Sequence, residues 1–247
     1  MPRRIFIGDV HGHYDGLMQL LEMIDPAQED QLYFAGDLID RGVQSAQVVE
    51  YVRSHGYGCV LGNHEQLLLE AFGEGRVNAK ALRAWLYSGG QSTLSSYASL
   101  DLLNEHLAWL QALPLYLDLG DVWLVHAGLD PRLNLNAQTA DELCWIRDEF
   151  HNNPDPYFTD KLIITGHTIT FTFPETAPGQ LVSGPGWLNI DTGAYHPRSG
   201  WLTGLDLDNH QVYQVNVHDQ IQRQRPLQEA TSPLVGQRQR SLVALSA

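Results

Sequence analysis

Cysteine is scarce: the 247 residues hold only Cys59 and Cys144, far apart and without C-x-x-C spacing. That speaks against a disulfide scaffold and a thiolate zinc site, and it fits a reducing compartment. Basic charge is short as well, with 15 Lys and Arg against 29 Asp and Glu, a formal net charge of −14. So acidic a surface repels phosphate backbones, so nucleic acid is not an expected partner and any anionic substrate needs positive charge placed locally. Long apolar runs are missing too. The Ile-Phe-Ile after MPRR is too short for a secretory signal, and no stretch reaches membrane-spanning length. A cytoplasmic protein with no membrane partner is therefore expected.

What is present, 43% hydrophobic residues in a chain of this length, suffices for a sizeable core. Apolar runs alternate with helical periodicity through the first quarter. Arg4 to Ile7 reads as a strand, Tyr14 to Ile24 as an amphipathic helix, Leu32 to Ala35 as a second strand, and Tyr57 to Leu61 as a third. From Gln66 to Leu113 helical patterns dominate, interrupted by GGQSTLSSY, which reads as a turn. Strand-like segments follow: PLYLDL, DVWLVHAG, KLIITGH, GWLNIDTG, GWLTGLDLD and HQVYQVNV. Phe171 to Gly186 reads as a proline- and glycine-rich loop. The expected organisation is one domain over residues 1–217 with a helical insertion at 66–113, then a tail over 218–247 with little periodicity, expected to be disordered or loosely docked.

Five predicted strands run out into glycine-flanked polar clusters: GDVHG (Gly8 to Gly12), GDLIDRG (Gly36 to Gly42), GNHE (Gly62 to Glu65), HAG (His126 to Gly128) and GH (Gly166, His167). Each alone reads as a turn or a cap. Five together point to one rim, because ligands in open α/β sheets bind outside the carboxyl ends of strands. The candidate ligands are Asp9, His11, Asp37, Asn63, His126 and His167. This mixed oxygen and nitrogen set suits Mn2+, Fe2+, Zn2+ or Ni2+, and six ligands exceed what one closed tetrahedral site needs. Two ions bridged by Asp37, roughly 3.5–4 Å apart, would activate a shared water for in-line attack on phosphorus. Arg41 supplies a guanidinium for the phosphate oxygens. His64, next to Asn63, is the candidate general acid, with Asp40 orienting it and favouring its protonated form.

Other residues take plainer readings. His13, His55, His106, His151, His196, His210 and His218 are read as surface or capping residues. Trp85, Trp109 and Trp123 read as core or lid packing, and GGQSTLSSY lacks the lysine of a nucleotide P-loop.

GDVHG, GDLIDRG, GNHE, HAG and GH in this order resemble the phosphoprotein phosphatase family of metallophosphoesterases, in outline from Gly8 to Gly193. The helical region after GNHE and the IDTG at Ile190 to Gly193 are most similar to the small bacterial and bacteriophage members. The resemblance implies an α/β fold, an αββα sandwich of two mixed β-sheets flanked by helices. It implies one metal held by Asp9, His11 and Asp37, and a second by Asp37, Asn63, His126 and His167, with Mn2+ the first choice. It implies His64 as acid with Asp40 behind it, Arg41 on the phosphate, and, through WIRDEF, Arg147 as a second phosphate-binding arginine. The VLGNH sequence, with Leu61 where many protein phosphatases carry arginine, is similar instead to the symmetrical diadenosine tetraphosphatases of the superfamily. Asp40 and Glu65 tilt the reading back toward phosphomonoesters. The expected function is thus a dimetal phosphatase acting on phosphoserine and phosphothreonine, with phosphotyrosine next in line, in phosphoproteins or phosphopeptides, and with small phosphoesters or nucleotides as further substrates. The alternatives are a diadenosine tetraphosphatase-like hydrolase or a non-catalytic scaffold.

Overall fold

The computed structural model describes residues 2–73 and 76–234. Two six-stranded mixed sheets lie face to face. The first has the order β11-β10-β9-β1-β2-β3 and the second β12-β7-β8-β6-β5-β4. The first sheet is built from β1 (Arg4–Ile7), β2 (Gln31–Phe34), β3 (Gly58–Cys59), β9 (Trp201–Asp206), β10 (Gln211–Asn216) and β11 (Gln222–Pro226). The second is built from β4 (Tyr116–Asp118), β5 (Val122–Val125), β6 (Leu162–Thr165), β7 (Leu181–Gly184), β8 (Trp187–Asn189) and β12 (Thr231–Pro233).

Side-chain alternation explains the layering. In β1, Phe6 enters the core between the sheets with Leu124, Ile164, Leu188 and Leu205, while Ile5 and Ile7 turn outward to a second core. That outer core is closed by the apolar faces of α1 (Tyr14–Ile24), α2 (Ser45–Ser54) and α3 (Asn63–Phe72), through Leu17, Leu20, Val48, Val49 and Leu68. On the other outer face, Trp123, Val125, Ile163 and Trp187 meet Leu143 of α7 (Ala140–Trp145) and Phe150 of α8 (Asp148–His151). The result is the expected αββα sandwich. β1, β2 and β3 run parallel, as do β5, β6 and β8, so the rim loops after β1, β2, β5 and β6 leave from carboxyl ends.

Four local expectations are corrected. GGQSTLSSY is helical: after α4 (Ala79–Trp85) a π-turn over Leu86–Gly90 leads directly into α5 (Gln91–Ser96), and α6 (Leu100–Gln111) follows. Gly89, at φ 116°, supplies the left-handed kink that lets the turns follow one another. The loop from Phe171 to Gly186 contains β7, which pairs with β8 and β12. The tail is ordered through Leu234: β11 pairs with β10, α9 (Leu227–Ala230) follows, and β12 pairs with β7. Arg223 and Arg225, both half-buried, donate to the Gly179 carbonyl. The rest of that expectation, residues 235–247, lies outside the described residues. Finally, His106 and His151 are buried rather than surface residues. His106 bonds Glu50 at 2.9 Å and Tyr97 at 3.0 Å, tying the insertion to α2.

Candidate metal centre and active site

The loops after β1, β2, β3, β5 and β6 converge, bringing Asp9, His11, Asp37, Asn63, His64, His126 and His167 together, all at least nine-tenths buried. The approach is close enough to demand glycine. A Cβ on Gly166 would land on the Asp9 carboxylate, and one on Gly62 would land on Asp37. The backbone is also forced: His11, Asp37, Asp40, Arg41 and His167 have φ between 47° and 72°. Such left-handed residues cost about 1–3 kcal/mol each and persist where surrounding structure over-determines them.

Asp37 lies at the centre. Its Oδ1 is 3.4 Å from His126 Nε2 and its Oδ2 is 3.5 Å from His11 Nε2. Two sets of donor atoms, His11, Asp37 and His64 on one side and Asp9, Asp37 and His126 on the other, each fall within 4.8 Å of one another and share Asp37. Asn63 and His64 do not continue the strand before them but occupy the first turn of α3. The helix N-terminus therefore faces Asp37, and the His64 N–H donates to Asp37 Oδ1 at 3.0 Å. Glu65 locks this entry, accepting from the N–H groups of Asp37, Leu38, Ile39 and Gly62.

The imidazoles are oriented for cations. His126 Nδ1 donates to the Ala35 carbonyl at 2.7 Å, His11 Nδ1 to Ile39 at 2.9 Å, and His167 Nε2 to Trp145 at 3.2 Å. With those protons spent outward, the inward nitrogens present lone pairs, as metal-binding histidines do. His126 Nε2 and His167 Nδ1 both face Asn63 Oδ1, at 2.9 and 2.8 Å. Lone pair against lone pair is repulsive unless a positive charge lies among them. Asp9 makes the same case: Oδ2 accepts the His167 N–H at 3.0 Å, while Oδ1 is buried with no hydrogen-bond partner.

The electrostatics agree. Burial pushes the His11 imidazole down to about 3, with His64 adding to the effect, and burial lowers His126 and, far more, His167. Burial, with Asp191 and Asp37 nearby, holds Asp9 well above the usual carboxylate range, and burial raises Asp191 to about 7. Burial opposes the ionisation of Asp37 too, but His126, His64 and His11 outweigh it and keep it ionised. Neutral imidazoles and crowded carboxylates together favour a bound cation. The donor set therefore fits divalent metal.

His64 differs from the other three. Burial disfavours its imidazolium, yet Asp37 and Asp40 prevail and raise it above the ordinary histidine value. Its Nδ1 lies 2.6 Å from Asp40 Oδ2, and Asp40 is fully buried. The Asp40 carboxylate also accepts from Trp85 Nε1 at 2.9 Å and from Thr93 Oγ1 at 2.7 Å. These two donors were missed by the sequence reading, which took Trp85 for packing and GGQSTLSSY for a turn. A tryptophan in an apolar pattern carries no sign that its N–H meets a carboxylate 45 positions away. Arg41 is exposed at the rim, its guanidinium 4.8 Å over the Tyr195 ring, which in turn stands edge-on to His11. Arg147, also exposed, donates to Thr168 Oγ1 at 3.0 Å and to the His167 carbonyl at 3.3 Å, on the other side of the cluster.

The fold is an αββα sandwich, and the buried His/Asp centre on its rim is a candidate site for divalent metal. A family model described as calcineurin-like phosphoesterase matches residues 2–186, and the chain belongs to that family. A symmetrical bis(5'-nucleosyl)-tetraphosphatase of Methylococcus capsulatus is 41% identical over 139 residues, 54% of this chain and 45% of that protein. One of Nitrosococcus oceani is 38% identical over 138 residues, 52% and 45% of the two chains. The chain spans about half the length of these curated relatives. Among solved structures, a candidate diadenosine tetraphosphatase superposes with a TM-score of 0.61 at 22% identity, over 92% of this chain and 96% of that one. A cold-active protein-tyrosine phosphatase of a Shewanella species gives 0.52 at 20% identity, over 91% and 80%. These likenesses carry the fold. No described helix is long and apolar enough to cross a membrane.

Proposed function

We propose that the chain hydrolyses dinucleoside tetraphosphates at the central anhydride, giving two nucleoside diphosphates. The observation that carries the chemistry is the convergence of inward lone pairs of His126, His167 and Asn63 with the partnerless Asp9 Oδ1 around the shared Asp37. The substrate class rests on the relatives at 41% and 38% identity, both symmetrical tetraphosphatases. Asp9, His11 and Asp37 would hold one divalent ion and Asp37, Asn63, His126 and His167 the other, with Mn2+ the first choice. When bound, such a pair lowers the pKa of water and neutralises phosphoryl oxygens. Arg41 and Arg147, exposed on two sides of the cluster, bind the non-bridging oxygens. His64 delivers a proton to the departing oxygen, and Asp40 keeps its Nδ1 protonated and its ring aimed.

A second reading, hydrolysis of phosphomonoesters including phosphoserine and phosphothreonine in proteins, is favoured by the same Asp40–His64 pair. A nucleoside diphosphate leaves readily as an anion, whereas a serine alkoxide needs a proton, so a buried, oriented acid is of most use for the ester. Product analysis separates the two. With Mn2+ supplied, two nucleoside diphosphates from diadenosine tetraphosphate support the first reading, and inorganic phosphate from a phosphopeptide supports the second. Catalysis that survives exhaustive chelation would refute both.

A further inference from the structure

We infer that the indole of Trp145 is the stacking surface for one nucleobase of the substrate; this rests on the dinucleotide reading above. Trp85, Trp123 and Trp187 are at most 2% exposed, whereas Trp145, the last residue of α7, is 37% exposed. Its exposure is not looseness. Nε1 donates to Gln66 Oε1 at 3.0 Å, which ties the ring to the first turns of α3, three residues beyond Asn63. Its own carbonyl accepts from His167 Nε2 at 3.2 Å. The indole and the His167 imidazole stand 6.3 Å apart at 79°, and no aromatic ring is stacked flat on the indole among the described residues. A large apolar ring is thus anchored through its N–H and open to solvent, against two elements that carry candidate metal ligands, and two residues before Arg147.

On the His11 side of the cluster a rim aromatic is already engaged. Tyr195, beside His11, has the Arg41 guanidinium over its face. Trp145 offers an open ring face on the His167 side of the cluster. A planar, uncharged heterocycle stacks on it by dispersion and without conflict with a surface of net charge −14. The phosphates attached to that base then extend toward His167 and Arg147. Phosphoserine has no group that could use the indole in this way.

The test compares Trp145→Ala, Trp145→Phe and wild type, loaded with Mn2+, on diadenosine tetraphosphate and on O-phosphoserine, a phosphoester without a base. Trp145→Ala should raise KM for the dinucleotide about tenfold more than KM for phosphoserine, the scale of one lost base-stacking contact, with kcat for the dinucleotide changed far less. Trp145→Phe should recover most of that loss. Equal increases for both substrates would mean that the ring merely supports His167, and no increase would mean that the base binds elsewhere; either overturns the inference. Independently of turnover, ADP should quench wild-type tryptophan fluorescence, inorganic pyrophosphate should not, and Trp145→Phe should lose the quench. If wild type fails to cleave diadenosine tetraphosphate, the substrate reading falls, and the ADP titration still decides whether Trp145 takes a base. Gln66→Leu, which keeps the indole but frees it, should give a smaller KM increase of the same selectivity if Trp145→Ala does not fold.

Discussion

Replacing Asp40 by asparagine tests the proton relay and weighs the two substrate readings at once. Asp40 is fully buried and its carboxylate takes three side-chain donors: His64 Nδ1 at 2.6 Å, Trp85 Nε1 at 2.9 Å and Thr93 Oγ1 at 2.7 Å. An asparagine has one oxygen with two lone pairs, so at least one buried donor loses its acceptor and faces an NH2 group instead. Leaving a buried donor unsatisfied costs about 1–3 kcal/mol, which denaturant unfolding should register. Catalysis should respond by leaving group. His64 is raised above its ordinary value by Asp37 and Asp40 against the opposing effect of burial, so removing Asp40 makes the imidazolium easier to deprotonate. The acid form is then lost at lower pH, and the alkaline limb of the kcat profile moves toward acid. For alkyl phosphates kcat should fall by about 10²–10³, within the range attributed to general acid catalysis. For p-nitrophenyl phosphate, and for a dinucleotide whose leaving group is a nucleoside diphosphate, the fall should be no more than about tenfold. Equal losses across all leaving groups, or an unmoved alkaline limb, would refute the relay and reduce Asp40 to a structural anchor.

Metal should stabilise the native chain, because its ligands converge only when folded: at a free Mn2+ concentration 100 times Kd the gain is about 2.7 kcal/mol for one site, readable by scanning calorimetry. Asp37→Asn, which strikes the shared carboxylate, should abolish most of that gain and the bound-metal stoichiometry measured by elemental analysis; a full shift in the variant would show that Asp37 is not a ligand. His151, which is not a candidate ligand, gives the pH test. Burial among Phe150, Phe173 and Trp187 pushes its imidazole down to about 4, and its Nε2 has no partner. Unfolded histidine takes up a proton near pH 6.5, as folded His151 does not until about 4, so this residue destabilises the fold progressively as pH falls from about 6.5 toward 4. His151→Gln should flatten the decline in urea midpoint over that window, and an unchanged slope would refute it.

The rim was legible because its signal is local and repeated. Strand, glycine and donor recur within a few residues, and the glycines mark places where one loop backbone lies against the carboxylate of another, as Gly166 does against Asp9. Amphipathic α1 was readable to its ends, from Tyr14 to Ile24, since its buried face repeats at helical spacing. What escaped depends on distant partners. GGQSTLSSY has the composition of a turn, and its helix is held by partners distant in sequence, Thr93 bonding Asp40 and Leu94 packing into the outer core. β11 alternates glutamine with arginine and offers no apolar face, so its strand character follows from pairing with β10 and from the Gly179 carbonyl that its arginines share. Asn63 and His64 looked like the end of a strand because β3 is only two residues long and hands over to α3 almost at once.

That late segment has an engineering consequence. Between Gln222 and Pro233 the chain finishes one sheet, makes a single turn of helix and finishes the other, so both layers borrow their last hydrogen bonds from the same dozen residues. An expression clone trimmed at His218 would strip the margin of each layer together and expose two raw backbone ladders, Tyr213 and Leu181 among their residues, to whatever neighbouring molecule could pair with them. Such a clone should come out of the cell as aggregate, although every candidate ligand would still be encoded in it.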